Sequence, residues 1–372
     1  MKCREHRLFA RPKIIVAFAI LVATIPATAQ VRKTENIFVV TTDGFRWKEL
    51  FNGAERKLLT DKRYVSTDSA TLDNAFWAAT SDERRKKLMP FFWNTIANHG
   101  QLYGNRSIGN LMNVKNIYRF SYPGYNEIFT GYPDSLVNSN DYPPNPNENV
   151  LEFINRQNGF KNKVSVFASW NAYYRILNSE RSGLYINSGW SQLTDNDLNE
   201  TQQMLNEQQP YLPRIFGSTE RLDASTFFLA KEHIKKHHPR VFYLALIDTD
   251  AFGHQGKYDL YLNAAHNVDA MINDLWSFIQ HDPFYKDKTT LIVTTDHGRG
   301  ENEKWTGHYS NIEHSDEIWM AVMGPDTKPL GEIKTNGQVY QQQVAATISS
   351  FLGMQFKSNH PVAKPIESAL GK

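Results

Sequence analysis

The chain of 372 residues contains a single cysteine, Cys3, close to its amino terminus. One thiol cannot form an internal disulfide, and zinc sites built from several thiolates are excluded as well. Any metal site in this sequence must therefore be built from the carboxylates of Asp and Glu and the imidazoles of His.

The sequence also lacks an excess of either charge, because 41 Lys and Arg residues face 39 Asp and Glu residues. Five of the bases and one of the acids lie within the first 13 residues, so the remainder has 36 bases against 38 acids. Proteins that bind nucleic acid depend on a surplus of Lys and Arg for phosphate contacts. A nucleic-acid polymer is therefore not an expected partner.

Beyond the start of the chain, no apolar run approaches the about 18 residues of a membrane-spanning helix, and no membrane span is expected. The start combines a basic stretch, an apolar core over residues 14–26 and the segment Ala27-Thr28-Ala29. This pattern is typical of a cleaved signal peptide. We therefore predict a signal peptide over residues 1–29, cleavage near Ala29 and a periplasmic or secreted protein that begins at Gln30.

Apolar runs of strand length alternate with helical patterns along most of the chain. Helices are predicted over residues 83–98, 150–157, 224–237, 261–279 and 341–352. The alternation predicts an α/β fold, a three-layer α/β/α sandwich with a mainly parallel sheet, in one catalytic domain over residues 30–372. Two polar stretches interrupt it: residues 135–149 are predicted to be a surface loop, and residues 178–222 a small insertion that caps the site.

Acidic and imidazole side chains follow three of the apolar runs. The run over residues 36–42 leads to Asp43, and the run over residues 290–293 leads to Asp296 and His297. The run over residues 241–247 is followed by both Asp248 and Asp250 and then by His254, and Gly253 favours a loop there. Because the carboxyl ends of parallel strands meet at one edge of a sheet, these side chains are expected to converge.

A fourth segment, over residues 118–131, reads as a strand that ends at Ser121 and is followed by a helical turn. A hydroxyl at that junction faces the amino terminus of a helix, where free backbone N–H groups attract an anion. The alternative is that Ser121 does no more than cap the helix.

Together, these four segments resemble the alkaline phosphatase superfamily over residues 43–314. The turn at Ser121-Tyr122-Pro123 and the segment over residues 130–135 are similar to the nucleotide pyrophosphatase/phosphodiesterase branch. The spacing from His297 to His314 is similar to the cofactor-independent phosphoglycerate mutase branch. The resemblance implies an alkaline phosphatase-like fold, two divalent metal ions and Ser121 as both nucleophile and metal ligand.

The resemblance also implies how the metal ligands divide. It favours Asp250 over Asp248, and it favours His314 over His308 for the last position, with His308 expected as a substrate contact. One metal would be held by Asp250, His254 and His314, and the other by Asp43, Asp296 and His297. Mixed oxygen and nitrogen ligands suit zinc, with manganese as the alternative.

Substrate contacts are expected from Asn140, Asn171 and Arg175. Asn140, with Asn138 as an alternative, lies near the position where the phosphodiesterase branch carries a phosphate-binding Asn. Related monoesterases carry Lys and Arg where this chain has Trp170 and Asn171. An Arg clamp would favour a dianionic monoester, whereas an aromatic wall would favour a diester.

The resemblance thus implies an exported hydrolase that uses two metals to cleave small phosphate esters through a phosphoseryl intermediate. Monoesters are the first expectation, and a phosphodiesterase or nucleotide pyrophosphatase is the alternative. A formylglycine sulfatase is less favoured because Tyr125 occupies the position of the Arg in that motif. A mutase-like enzyme and a non-catalytic, metal-dependent binding protein are also less favoured.

Overall fold

The computed structural model describes Met1 and residues 32–371. Residues 2–29 of the predicted signal peptide lie outside the described residues. Among the residues that are described, no helix is long and apolar enough to cross a membrane.

An eight-stranded sheet runs through the structure in the order β5-β4-β6-β1-β7-β8-β2-β9, and β10 pairs with β3 in a separate two-stranded sheet. Neighbouring strands of the large sheet are parallel except at β8, which is antiparallel to both β7 and β2. The strand bounds are β1 Asn36–Thr42, β2 Gly100–Tyr103, β3 Asn110–Asn113, β4 Val164–Ala168, β5 Tyr185–Ser188, β6 Val241–Leu246, β7 Thr289–Thr294, β8 Met320–Met323, β9 Gly331–Glu332 and β10 Gly337–Tyr340.

Helices follow most of the strands. Their bounds are α1 Trp47–Asn52, α2 Arg56–Leu59, α3 Ser69–Phe76, α4 Ser81–Leu88, α5 Ala97–His99, α6 Ser121–Thr130, α7 Val150–Asn155, α8 Tyr173–Ile176, α9 Ser179–Ser182, α10 Glu200–Gln208, α11 Asp223–His237, α12 Asp248–His254, α13 Tyr258–His281 and α14 Gln343–Phe351. A π-helical turn, Phe92–Ile96, precedes α5.

Both faces of the sheet are covered, which confirms the three-layer α/β/α architecture. Along β1, Phe38 and Val40 pack into one apolar cluster with α11 and α13. Ile37 and Val39 point to the opposite face and pack with α6, α7 and α14. Successive side chains of a strand point to opposite faces, so an unbroken apolar run such as β1 needs apolar partners on both sides.

Two predicted elements differ from the structure. The helix predicted over residues 83–98 is interrupted at Met89, because Pro90 lacks the N–H that would continue the hydrogen bonding of α4. The strand predicted before Ser121 is absent: residues 114–120 form neither helix nor strand. Ser121 is instead the first residue of α6.

The segment over residues 178–222 contributes to the main sheet. Its strand β5 pairs in parallel with β4, and its helix α10 packs beside α11. Its last part contacts α12 through Phe216 and pairs with Trp170 through Glu220.

Asp269 on α13 anchors the turn that follows Pro90. Its carboxylate is buried and accepts hydrogen bonds from the backbone N–H groups of Phe91 (2.7 Å) and Phe92 (2.8 Å). Replacing Asp269 with Ala leaves both donors buried and unpaired, so we expect the free energy of unfolding to fall by about 1–3 kcal/mol. Asp274→Ala, on the same helix, removes only an exposed ion pair with Lys231 and should cost less than about 1 kcal/mol. Urea denaturation measures both values, and equal losses would contradict the anchoring role.

Candidate active site

The three central strands of the sheet bring the candidate ligands together. Strand β1 lies between β6 and β7 and is parallel to both. Asp43 follows β1, helix α12 follows β6 directly, and Asp296 and His297 follow β7. The carboxyl ends of these strands therefore meet at one edge of the sheet, as the sequence predicted.

Asp43, Asp296 and His297 form the first cluster, and all three are buried. The Nε2 atom of His297 lies 3.3 Å from Asp43 Oδ1 and 3.4 Å from Asp296 Oδ2. The other oxygens of the two carboxylates are satisfied: Tyr125 O–H donates to Asp43 Oδ2 (2.9 Å), and Gly44 N–H donates to Asp296 Oδ1 (3.1 Å).

Asp43 Oδ1 and Asp296 Oδ2, by contrast, accept no hydrogen bond from any residue that the structure describes. A buried carboxylate oxygen without a partner is costly, and such oxygens are usually satisfied by a donor or a cation. These two oxygens face the same imidazole nitrogen. The donor set therefore fits a divalent cation.

Asp250, His254 and His308 form a second cluster beside the first. Asp250 Oδ2 lies 3.1 Å from His254 Nε2, and the Nε2 atoms of His254 and His308 are 2.9 Å apart. His308 is buried, and its ring stacks on that of His297 with 4.0 Å between the ring centroids. Two imidazole nitrogens that converge with a carboxylate are the ligands of a zinc-like cation, so this cluster fits a second metal ion.

Helix α12 carries Asp250 and His254 one turn apart, so the predicted loop is wrong. Residues four apart on a helix lie on the same face, which directs both ligands to the centre. Gly253 lies within this helix. Its position favours glycine because a Cβ atom there would be 2.8 Å from Cζ of Arg299. Asp248 does not join the cluster, and its Oδ1 accepts a hydrogen bond from the backbone N–H of Asp223 (3.2 Å).

His314 lies outside both clusters, which corrects its assignment as the last ligand. Its Nδ1 is 3.1 Å from Glu317 Oε1 and its Nε2 is 3.8 Å from Glu301 Oε1, and its side chain is 35% exposed. His308 occupies the position expected of His314. The loop between Gly300 and Gly307 is closed by a backbone hydrogen bond of 2.9 Å, and this closure returns the chain to the site just before His308.

Ser121 begins α6 next to the first cluster. Its Oγ lies 3.4 Å from Nε2 of His297, and its side chain is almost fully buried. Asn140 Oδ1 accepts a hydrogen bond from the backbone N–H of Tyr122 (3.0 Å). The structure therefore places Asn140 beside the predicted nucleophile.

Arg175 and Asn171 are less directly involved. Arg175 donates hydrogen bonds to the backbone oxygens of Tyr142 (2.8 Å) and Asn140 (3.2 Å), so it holds the loop that carries Asn140. The guanidinium group of Arg175, an expected substrate contact, is thus engaged by backbone oxygens. Asn171 is exposed just after β4.

The charges of the centre shift the pKa values of its side chains. Burial and the charge of Asp250 raise the pKa of Asp43. Burial also opposes the ionised form of Asp250, but the charges of His254 and Arg299 hold its pKa well below the ordinary value. Burial opposes the charge of His297 too, yet Asp296 and Asp43 raise its pKa to about 9. A bound cation would favour ionised carboxylates and neutral imidazoles, which are the ligating forms.

The sequence alone did not indicate two further residues: Arg299, which contacts Asp250, and Glu220, whose segment packs beside α12. Arg299 is fully buried and forms an ion pair with Asp250 Oδ1, while its Nε donates to the backbone oxygen of Trp305 (2.9 Å). Its position two residues after His297 was the available signal. Glu220 has no such signal, because it lies 30 positions before Asp250 in the sequence.

Carboxylate and imidazole clusters at the edge of an α/β sheet, next to a hydroxyl at a helix terminus, are the arrangement that metal-dependent hydrolysis needs. Residues 219–356, which include Asp250, Asp296 and His308, match the family model described as Metalloenzyme superfamily. No curated protein sequence matches the chain significantly.

Solved structures share the fold at low sequence identity. Alkaline phosphatase PafA has a TM-score of 0.58 and 11% identity, over 91% of this chain and 99% of that chain. The phosphonate monoester hydrolase of Agrobacterium radiobacter has a TM-score of 0.55 and 11% identity, over 91% and 77% of the two chains. The lipoteichoic acid synthase LtaP from Listeria monocytogenes has a TM-score of 0.54 and 13% identity, over 87% and 73%. The chain therefore shares the fold of these enzymes, and residues 219–356 carry the match to the metalloenzyme family model.

Proposed function

We propose that this protein hydrolyses phosphate esters at a centre of two divalent cations, with Ser121 as the nucleophile. The observation that carries the proposal is the position of Ser121 Oγ, 3.4 Å from the His297 nitrogen that faces both unpaired carboxylate oxygens. A hydroxyl held at a helix amino terminus beside two clusters of metal ligands suits attack on phosphorus.

Each cluster provides three ligands for one cation. Asp43, Asp296 and His297 hold the first, and Asp250, His254 and His308 hold the second. Zinc suits this mixture of oxygen and nitrogen ligands, and manganese is the alternative. The bound cations would lower the pKa of the Ser121 hydroxyl and stabilise the charge of the leaving oxygen.

The reaction consumes one water molecule. The Ser121 hydroxyl gives up its proton to solvent, and Oγ forms a bond to phosphorus while the bond between phosphorus and the ester oxygen breaks. The released alkoxide takes up one proton from solvent and leaves as the alcohol. A water molecule then attacks phosphorus and loses a proton, the bond to Ser121 Oγ breaks, Oγ takes up a proton, and inorganic phosphate leaves. Asn140 is positioned to donate a hydrogen bond from its amide nitrogen to a phosphoryl oxygen, because its Oδ1 is held at the start of α6.

Monoesters are the proposed substrates, and phosphodiesters are the second candidate. The observation that favours diesters is the orientation of Arg175, which donates to backbone oxygens and leaves the phosphate of a dianionic monoester without its clamp. Export is also part of the proposal, on the evidence of residues 1–29. Sequencing the amino terminus of the protein from its own cell would test export, and a start at Met1 would rule it out.

A panel of aryl esters tests the proposed reaction. The protein is stripped of metal with a chelator, reloaded with zinc or manganese, and assayed with p-nitrophenyl phosphate, bis(p-nitrophenyl) phosphate and p-nitrophenyl sulfate. We expect metal-dependent hydrolysis of the phosphate monoester, because every ligand of the two clusters is present. Faster cleavage of the diester would select the second candidate. Absence of turnover in a fully loaded protein would favour the metal-dependent binding protein instead.

A further inference from the structure

Glu220 lies at the same edge of the sheet as the metal ligands. It forms an antiparallel bridge with Trp170, which follows β4, and the next residue, Arg221, donates a backbone hydrogen bond to Ser169 O (2.8 Å). Asp223 then accepts hydrogen bonds from the backbone N–H groups of Ile247 (2.8 Å) and Asp248 (3.0 Å). Residues 220–223 therefore cross the carboxyl ends of β4 and β6, beside the start of α12.

An aromatic contact joins the same segment to the metal-binding helix. The ring of Phe216 packs edge-on against Phe252, which lies on α12 between Asp250 and His254, with 4.9 Å between the ring centroids. Residues 216–220 thus run along the β4 side of the metal centre. A substrate whose phosphate lies at Ser121 and whose alcohol group points towards β4 would meet this segment.

The carboxylate of Glu220 is unpaired. It is partly buried, and it forms no side-chain hydrogen bond or ion pair with any residue between 32 and 371. Burial, followed by the charges of Asp250 and Asp43, raises the pKa of Glu220 to about 7. Burial and the charges of Asp250 and Asp43 therefore disfavour the ionised form of Glu220 unless a cation joins it.

The neighbouring arginine side chains do not pair with Glu220. The guanidinium group of Arg221 is buried and donates to Thr226 Oγ1 (3.0 Å), Asn187 Oδ1 (3.0 Å) and Gln209 Oε1 (3.3 Å). Arg299 is paired with Asp250, and Arg175 with backbone oxygens. A partly buried carboxylate without an arginine or lysine partner, on a residue whose backbone pairs with that of a tryptophan, is a site for a cation supplied by a ligand.

We propose that the alcohol group of the substrate carries a positively charged nitrogen, which binds between Glu220 and Trp170. The substrate class is then the phosphate ester of an amino alcohol, in which a short carbon chain joins the phosphate to an ammonium group. This inference rests on the proposed function. The chemistry is unchanged: the bond between phosphorus and the ester oxygen breaks, water is consumed, and the amino alcohol and inorganic phosphate are released.

Choline phosphate and 3,3-dimethylbutyl phosphate form a matched pair of test substrates, because they have the same shape and differ in the charge of the quaternary centre. The full chain, loaded with zinc, is assayed with both esters at pH 8, where the Glu220 carboxylate is ionised. We expect kcat/KM to be about tenfold or more higher for choline phosphate, as a desolvated cation between a carboxylate and an aromatic ring is strongly favoured. Ethanolamine phosphate should share the preference if a primary ammonium group also fits.

Variants at Glu220 test whether this residue causes the preference for the charged ester. Glu220→Gln keeps the shape and removes the charge, so the ratio of the two kcat/KM values should fall to about one. Glu220→Asp keeps the charge and should retain part of the preference, which distinguishes loss of charge from damage to the fold. Glu200→Gln removes an exposed carboxylate from α10 in the same segment and should leave the ratio as in the wild type.

Equal kcat/KM values for the two esters in the wild type would overturn the inference and leave the proposed function intact. A preference that survives in Glu220→Gln would also overturn it, because the cation would then bind elsewhere. Failure of the proposed function has a different signature: p-nitrophenyl phosphate and both alkyl esters would all remain intact in the metal-loaded protein.

Discussion

Replacing Ser121 with Ala is expected to reduce the turnover of p-nitrophenyl phosphate by a factor on the order of 10³–10⁶ while both metal ions stay bound. The large factor is expected because the variant lacks the atom that forms the bond to phosphorus, and nucleophiles of covalent catalysis carry losses of this size. Metal content should change little, because the six Asp and His ligands of the two clusters are untouched.

Ser135→Ala provides a matched control. Ser135 is exposed in the loop after α6, so its loss should leave both turnover and metal content as in the wild type. Steady-state kinetics and elemental analysis of the same protein batch give the two readings. Turnover close to that of the wild type in Ser121→Ala, with unchanged metal content, would remove Ser121 from the mechanism.

His308→Ala is expected to lose about one of the two bound metal ions and nearly all activity. His308 is buried and its Nε2 converges with that of His254, so its removal leaves the second cluster with two ligands. His314→Ala should keep both metal ions, because His314 contacts Glu301 and Glu317 away from the two clusters.

Elemental analysis after dialysis against metal-free buffer separates the two His variants. His308→Ala should retain about half of the wild-type metal, and His314→Ala should retain nearly all of it. If His314→Ala loses metal and His308→Ala does not, the ligand assignment drawn from the sequence is right and the loop over residues 300–308 adopts another path in solution.

The sequence predicted the parts of the fold that depend on local pattern. The unbroken apolar runs identified β1, β6 and β7, because a strand buried on both faces has no polar positions to interrupt it. Asp43, Asp296 and His297 follow from the ends of those strands. The general rule that open α/β sheets bind ligands at their carboxyl edge then brought these residues together.

The remaining parts depend on contacts between distant residues. The choice between His308 and His314 requires the path of the loop after Gly298, and that path is set by close backbone packing. A Cβ atom at Gly300 would meet the backbone oxygen of Lys304 at 2.4 Å. In the sequence, Gly253 suggested a loop. In the structure, its missing side chain makes room for Arg299, and no turn is formed there. Spacing along the sequence carries no information on such contacts.

Anomalous diffraction from crystals of the zinc-loaded protein tests the two-metal centre most directly. We expect two peaks at the zinc edge, one among Asp43, Asp296 and His297 and the other among Asp250, His254 and His308, with Ser121 Oγ beside them. A single peak, or a peak at the cluster of Glu301, His314 and Glu317 with one of the two positions empty, would contradict it.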